Sequence, residues 1–74
     1  MWAFSNMKNR VKQFRNDKTL TQDALAGLLS VSRQTIISIE SSRYVPSTVL
    51  SLKIAKFLGK SVEELFELDT SDFQ

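Results

Sequence analysis

Residues 21–40, "TQDALAGLLSVSRQTIISIE", decide the fold. Two short helical segments stand on either side of a connection only two residues long, Ser30 and Val31. Thr21 is a good N-cap for the first, and Asp23 in its first turn favours the positive end of the helix dipole. Leu25, Leu28 and Leu29 supply its core face. Ser32 caps the second, "SRQTIISIE". At about 100° per residue, Ile36 and Ile39 share a face with Ser32, while Gln34 and Ser38 point nearly opposite, flanked by Arg33 and Ile37. Any surface helix needs a polar side. This one carries a single charge and is rich in groups that both donate and accept hydrogen bonds.

Working outward, the rest of the chain also reads as helix. Gly27 and Gly59 are the only glycines and Pro46 the only proline. Hairpin dipeptides and sustained period-2 alternation are missing, so the spacing predicts an all-α domain. A first helix is expected from about Lys8 to Asp17, with Met7, Val11 and Phe14 on one stripe. Ser41 to Pro46 reads as a loop. Ser47 caps a fourth helix to about Leu58, whose apolar residues Val49, Leu50, Leu52, Ile54, Ala55, Phe57 and Leu58 cover more than one stripe and predict a central helix. Gly59 is the usual C-terminal stop. "SVEE", Ser61 to Glu64, is a capping box for a short fifth helix ending near Phe66. Residues 1–6, "MWAFSN", precede Met7, a natural start, and read as an extension or leader. They could pair as a short strand with "FELDTSDF", in cis or across a dimer.

Composition narrows the function. Seventy-four residues make one domain near the lower limit for an unstapled core. With neither cysteine nor histidine, the chain lacks disulfides, thiolate metal sites and the commonest acid/base catalyst. No nucleophile–base pair or metal cluster can be assembled, so neither an enzyme nor a cofactor is expected. No apolar run approaches the roughly 20 residues of a membrane span, and no secretory signal is visible, which agrees with a cytoplasmic location. Residues 1–60 hold all ten Lys and Arg against three acids, a net of +7. Residues 61–74 hold five acids and no base. A basic body with an acidic tail suits a polyanion partner, although an unevenly charged surface would look the same.

Residues 21–40 together form a helix-turn-helix pattern. Ala26 lies where the two helices would cross, and its small side chain permits close approach. Val31 turns inward as a plug. Ile36 and Ile39 tie the second helix to the body, which leaves its first turn free to enter a DNA major groove. Period and caps alone would suit any αα-hairpin; the combination is more specific.

The stretches "LTQDALAGLL", "VSRQTI", "SIE", "RY", "LKIAKFLG" and "SVEELF" resemble the Cro/lambda-repressor type of bacterial and phage helix-turn-helix regulators, over residues 7–66. The resemblance implies a compact five-helix lambda-repressor-like DNA-binding domain over 7–66; the acids of residues 67–74 make that segment an acidic C-terminal tail. It also implies homodimeric binding to double-stranded DNA. Two departures stand out. Ser30 replaces the turn glycine usual in the family, and must accept or avoid a left-handed conformation. Ser41–Ser42 replaces the usual Asn-Gly.

The residues divide by role. Gln34 can make a bidentate contact with adenine N6 and N7. Arg33 can pair with guanine or hold a phosphate. Ser32 and Thr35 can touch bases or phosphate while also capping, and Ser38 follows Gln34 into the groove. Thr21 and Gln22 begin a helix whose N–H groups favour an anion, and the resemblance makes them phosphate contacts. Arg43 and Tyr44 resemble the second phosphate-contacting segment, with packing under the fourth helix open to Tyr44. Ile37 could touch a thymine methyl. Arg15 and Glu40 fall beside apolar stripes, and the resemblance implies a structural ion pair between them. Lys53, Lys56 and Lys60 read as solubilising.

The expected function is that of a sequence-specific transcriptional regulator, a repressor of the short Cro-like kind, on a near-palindromic operator. The alternative is a protein-interaction module on the same fold, an antitoxin or anti-regulator. The dimer contact is expected in the C-terminal region, from Leu65, Phe66, Leu68 and Phe73, helped by Trp2 and Phe4. No small-molecule ligand is expected in a chain with no room for a sensing domain.

Overall fold

The computed structural model describes residues 7–73. Among them are helices α1 (Val11–Asp17), α2 (Gln22–Leu29), α3 (Arg33–Glu40), α4 (Thr48–Leu58) and α5 (Val62–Leu65). Strand β1 (Lys8–Asn9) precedes α1; strand β2 (Phe66–Glu67) and a 3₁₀ turn (Thr70–Phe73) follow α5. β1 and β2 pair antiparallel, Lys8 opposite Glu67 and Asn9 opposite Phe66.

The domain is thus helical with a two-residue ribbon tying its ends. The ribbon corrects two helix boundaries. α1 starts at Val11 rather than Lys8, because Lys8 and Asn9 are paired with β2 and the Arg10 N–H donates to the Leu65 carbonyl at 2.8 Å. The Asn9 side chain then accepts from the Val11 N–H at 3.2 Å, which starts the helix. α5 stops at Leu65 because Phe66 has turned extended, with φ −124° and ψ 133°. The strand suggested for residues 1–6, and the dimer role of Trp2 and Phe4, lie outside the described residues.

Four helix starts follow one chemistry. Thr21, Ser32, Ser47 and Ser61 each accept, through the side-chain oxygen, from the backbone N–H three residues on, at 3.0, 3.2, 3.1 and 3.1 Å. Each satisfies a donor the helix cannot. At Ser61 the box is complete, since Glu64 accepts from the Ser61 N–H at 2.9 Å. That backbone hydrogen bond, and then the Ser61 side chain, holds the Glu64 carboxyl below its ordinary value. The Ser71 hydroxyl, and then its N–H, does the same for Asp69 in the 3₁₀ turn. Both groups add stability above their ordinary titration range, lost as pH falls through the lowered values.

The turns are tight enough to need left-handed residues. Ser30 accepts that conformation, at φ 58°, as does Ser42 at φ 62°. For non-glycine residues this costs about 1–2 kcal/mol. Thr19 does the same at φ 54°, a β-branched outlier not legible in the sequence. Its turn delivers the Leu20 carbonyl to Arg15 Nη1, 2.7 Å away.

The core is built from Val11, Leu25, Ala26, Leu29, Ile36, Ile39, Leu50, Ile54, Ala55, Leu58, Leu65 and Phe66. Met7, Phe14, Leu20, Val31 and Val62 pack on it half-buried. Two expectations change. Leu28 is exposed, and Ala26 takes its place on the inner face of α2. α4 is not sheathed all round: Leu50, Ile54, Ala55 and Leu58 are inside, while Val49, Leu52 and Phe57 are exposed, at 68%, 57% and 42%.

Candidate nucleic-acid interface

α3 is anchored along one side only. Ile36 and Ile39 are fully buried. The Asn9 side chain donates to the Ile39 carbonyl at 2.9 Å, so β1 holds the far end of the helix. Ala26 is buried in the α2–α3 angle, and the Val31 N–H donates to its carbonyl at 3.0 Å, which fixes the turn.

Beneath the helix pair lies a charged node. Arg15 Nε and Nη2 donate to the two carboxylate oxygens of Glu40 at 2.7 and 3.2 Å. Their side chains are only 8% and 5% exposed. The third guanidinium nitrogen donates to the Leu20 carbonyl. Gln22 also donates to Glu40, at 3.2 Å. Every buried side-chain polar atom among the described residues has a partner, the condition under which such a pair is tolerated. One amide hydrogen of Gln22 is thereby committed. Its other amide hydrogen and its backbone N–H are what it can offer a phosphate at the start of α2.

The opposite side of α3 faces solvent. Ser32, Arg33 and Gln34 are exposed; Thr35, Ile37 and Ser38 are half-buried. Ile37 is therefore not the fully outward residue its wheel position suggests. Ser32 Oγ lies 3.0 Å from Thr35 Oγ1, and Gln34 Nε2 donates to Ser38 Oγ at 3.4 Å. Arg33 approaches Asp23 no closer than 4.0 Å, both well exposed; such a pair contributes little and leaves the guanidinium available.

Two groups of side chains flank this turn. Arg15, Thr21, Gln22, Asp23 and Arg33 line an open depression at the start of α2. On the other flank the N–H groups of Arg43 and Tyr44 both donate to the Ser38 carbonyl, at 2.9 and 3.3 Å, which folds the loop back along α3. Arg43 is exposed and makes no ion pair among the described residues. Tyr44 is 44% exposed and borders α3 rather than lying under α4. The structure thus sets Thr21, Gln22 and Arg33 together at the start of α2, and Gln34, Thr35, Ser38 and Tyr44 together along α3, with Ser32 at its cap, Arg43 in the loop that follows it and the Arg15–Glu40 pair beneath.

Sequence reasoning overlooked Asn9 and Arg10. Arg10 Nη2 meets Glu67 at 2.9 Å, so the acidic tail is partly pinned to the body. An Asn just before an apolar helix start was the available signal for the first. The Arg10–Glu67 pair spans 57 residues and had none.

The fold agrees with the comparisons. Residues 11–65 match the helix-turn-helix family. An uncharacterised HTH-type transcriptional regulator of Methanocaldococcus jannaschii is 53% identical over 60 residues, covering 81% of this chain and 91% of that one. A second, from Bacillus subtilis, is 41% identical over 63 residues, covering 85% and 96%. A crystal structure of a candidate DNA-binding protein from Bacteroides fragilis superposes with a TM-score of 0.75 at 30% identity, covering 82% of this chain and 98% of that one. The chain belongs to the helix-turn-helix family of DNA-binding transcriptional regulators, of the Cro/C1 type. Its relatives are archaeal as well as bacterial.

Proposed function

We propose that the chain is a cytoplasmic repressor that binds a near-palindromic duplex as a homodimer, one α3 in each half-site. The supporting observation is the one-sided anchoring of α3: Ile36, Ile39 and Asn9 fix it from behind while Ser32, Arg33 and Gln34 stand clear. A helix held this way can enter a major groove without rearrangement. Gln34 reads adenine, and Ser32, Arg33, Thr35 and Ser38 surround it at the base edges. Thr21 and Gln22 on one flank and Arg43 and Tyr44 on the other hold phosphates and set the register.

The dimer contact falls on an apolar groove that shares no lining residue with the flanks of α3. Its volume is about 790 Å³, and it is lined by Met7, Val45, Leu52, Ala55, Phe66 and Leu68 among others. Of the C-terminal residues expected there, Leu65 and Phe66 are buried in the chain's own core, which leaves Leu68 and Phe73, 57% and 77% exposed, to meet a partner.

Gln34→Ala should weaken binding to the preferred duplex by about 1–3 kcal/mol and relax the preference at one base pair. Titration of a duplex set varied at each position checks it, and equal weakening on all sequences would remove Gln34 from the base readers. Arg43→Ala should weaken every sequence alike and lower the salt slope, d log K/d log [salt], by about one unit. An unchanged slope would mean that Arg43 holds no phosphate.

A further inference from the structure

The apolar groove and α3 meet at one side chain. Asn9 Nδ2 donates to the Ile39 carbonyl, in the last turn of α3, at 2.9 Å and to Ser42 Oγ at 3.4 Å. Ser42 is the left-handed residue of the turn that leads into Arg43 and Tyr44. One amide thus holds both the end of α3 and the start of the loop beside it. The backbone of Asn9 belongs to the groove side. It pairs with Phe66 across the ribbon, and Phe66 and Met7, two residues before Asn9, both line the groove. So short a ribbon has little stability of its own and takes its position from what packs on it. Stability alone does not account for the Asn9 amide. The Ile39 carbonyl also accepts from the Ser42 N–H at 3.0 Å, so removal of the amide leaves that acceptor satisfied. The start of α1 is served by the other atom, Oδ1, which accepts from the Val11 N–H. What Nδ2 adds is a link between segments 30 residues apart.

We propose that Asn9 is a positioning residue that couples the apolar groove to α3. A second copy seated in the groove packs on Met7 and Phe66 and fixes the ribbon. The ribbon, through Asn9, then fixes the tilt of α3 and the loop that carries Arg43 and Tyr44. With the groove empty the ribbon is looser, and α3 samples tilts that do not fit DNA. Assembly therefore raises the affinity of each single α3 for its half-site, in addition to the gain from joining two half-sites. By linkage, a half-site tightens the dimer by the same factor. The proposal rests on the groove being the dimer contact and α3 the reading helix.

The test uses a duplex just long enough for one half-site, on which the second copy finds no DNA. Wild type, Leu52→Glu, Asn9→Ser and the double variant are titrated on it. Each affinity is expressed relative to an unrelated duplex of the same length, which cancels the added charge of the glutamate. Leu52→Glu and Asn9→Ser should each lower this ratio roughly 5-fold or more, the lower end of ordinary coupling between sites. In the double variant the losses should not multiply; the combined loss should match the larger single one. Serine keeps an oxygen for the Val11 N–H, and urea unfolding checks that the variant is folded. The proposal is overturned if either single variant changes the ratio by less than about twofold, or if the two losses multiply. Sedimentation of wild type with and without the half-site duplex is independent of any variant: the dimer should tighten by the same factor, and an unchanged dimer constant overturns the coupling. A wild-type chain that stays monomeric, or that has no preferred duplex, would instead remove the dimer or the reading by α3, and this inference with it.

Discussion

Glu40→Ala should destabilise the fold by roughly 3–5 kcal/mol, the scale for breaking a buried pair by removing one partner. The mutation strips two charge-assisted hydrogen bonds from Arg15, whose side chain is 8% exposed and cannot swing into water without opening the α1–α3 contact. The Leu20 carbonyl would remain as its one acceptor. Gln22 would lose its anchor as well, so the start of α2 should loosen. Much of the loss reflects the stranded cation rather than the worth of the pair. Replacing Arg15 and Glu40 together by well-packed apolar residues should therefore recover most of it. Urea unfolding of the single and double variants measures both. A single-variant change below about 0.5 kcal/mol would show that the pair is effectively solvated.

Leu52→Glu carries the other large expected effect, on assembly. Leu52 is 57% exposed in the protomer, so glutamate at this helical position should alter its stability by no more than about 0.5 kcal/mol. In a dimer the same side chain would be buried in the apolar groove with Leu68 and Met7. A carboxylate there would lose its water in a mostly apolar lining that also holds Glu63, with Lys60 the only base, and the dimer should dissociate. Each copy would then find one half-site without help from the other, and affinity for the palindromic duplex should fall roughly 10²- to 10⁴-fold. Sedimentation and duplex titration report the two effects. An undiminished dimer would move the interface elsewhere. A wild-type chain that stays monomeric both free and on a palindromic duplex would remove the dimer altogether.

Much of the fold is legible in short-range chemistry. Thr21, Ser32, Ser47 and Ser61 cap as their side chains require, and Gly59 ends α4 with φ 67°. The misreadings arise where geometry depends on distant partners. With Leu25, Ala26 and Leu29 inside, the centre of the α2 stripe lies about 50° round from Leu25, which leaves Leu28 roughly 110° away and in solvent. Leucine identity alone does not separate Leu28 from the inner face; the small Ala26 completes that face instead. The apolar surplus of α4 could not be resolved, since hydrophobicity does not say whether the covering element belongs to the same protomer. Lys8 and Asn9 leave the helix because β2 is present to pair them, 57 to 59 residues along the chain.

At the site, the grouping of residues around α3 follows from the helix wheel and the tight turn, both local. The division of labour within the group does not. That Gln22 is tied to Glu40 and that Tyr44 borders α3 rather than α4 are set by the crossing of α2 and α3 and by the fold-back of the loop. Ile37 is half-buried although its wheel position is outward.

The most direct test of α3 as a reading helix is selection of bound duplexes from a random DNA pool. An enriched inverted repeat is expected, its half-site centres one helical turn apart, about 34–36 Å. Each half should contain an A·T pair at which Gln34→Ala loses discrimination. A pool that emerges unenriched, from a folded chain that instead captures a protein partner stoichiometrically and shows no salt-dependent affinity for DNA, would contradict the assignment.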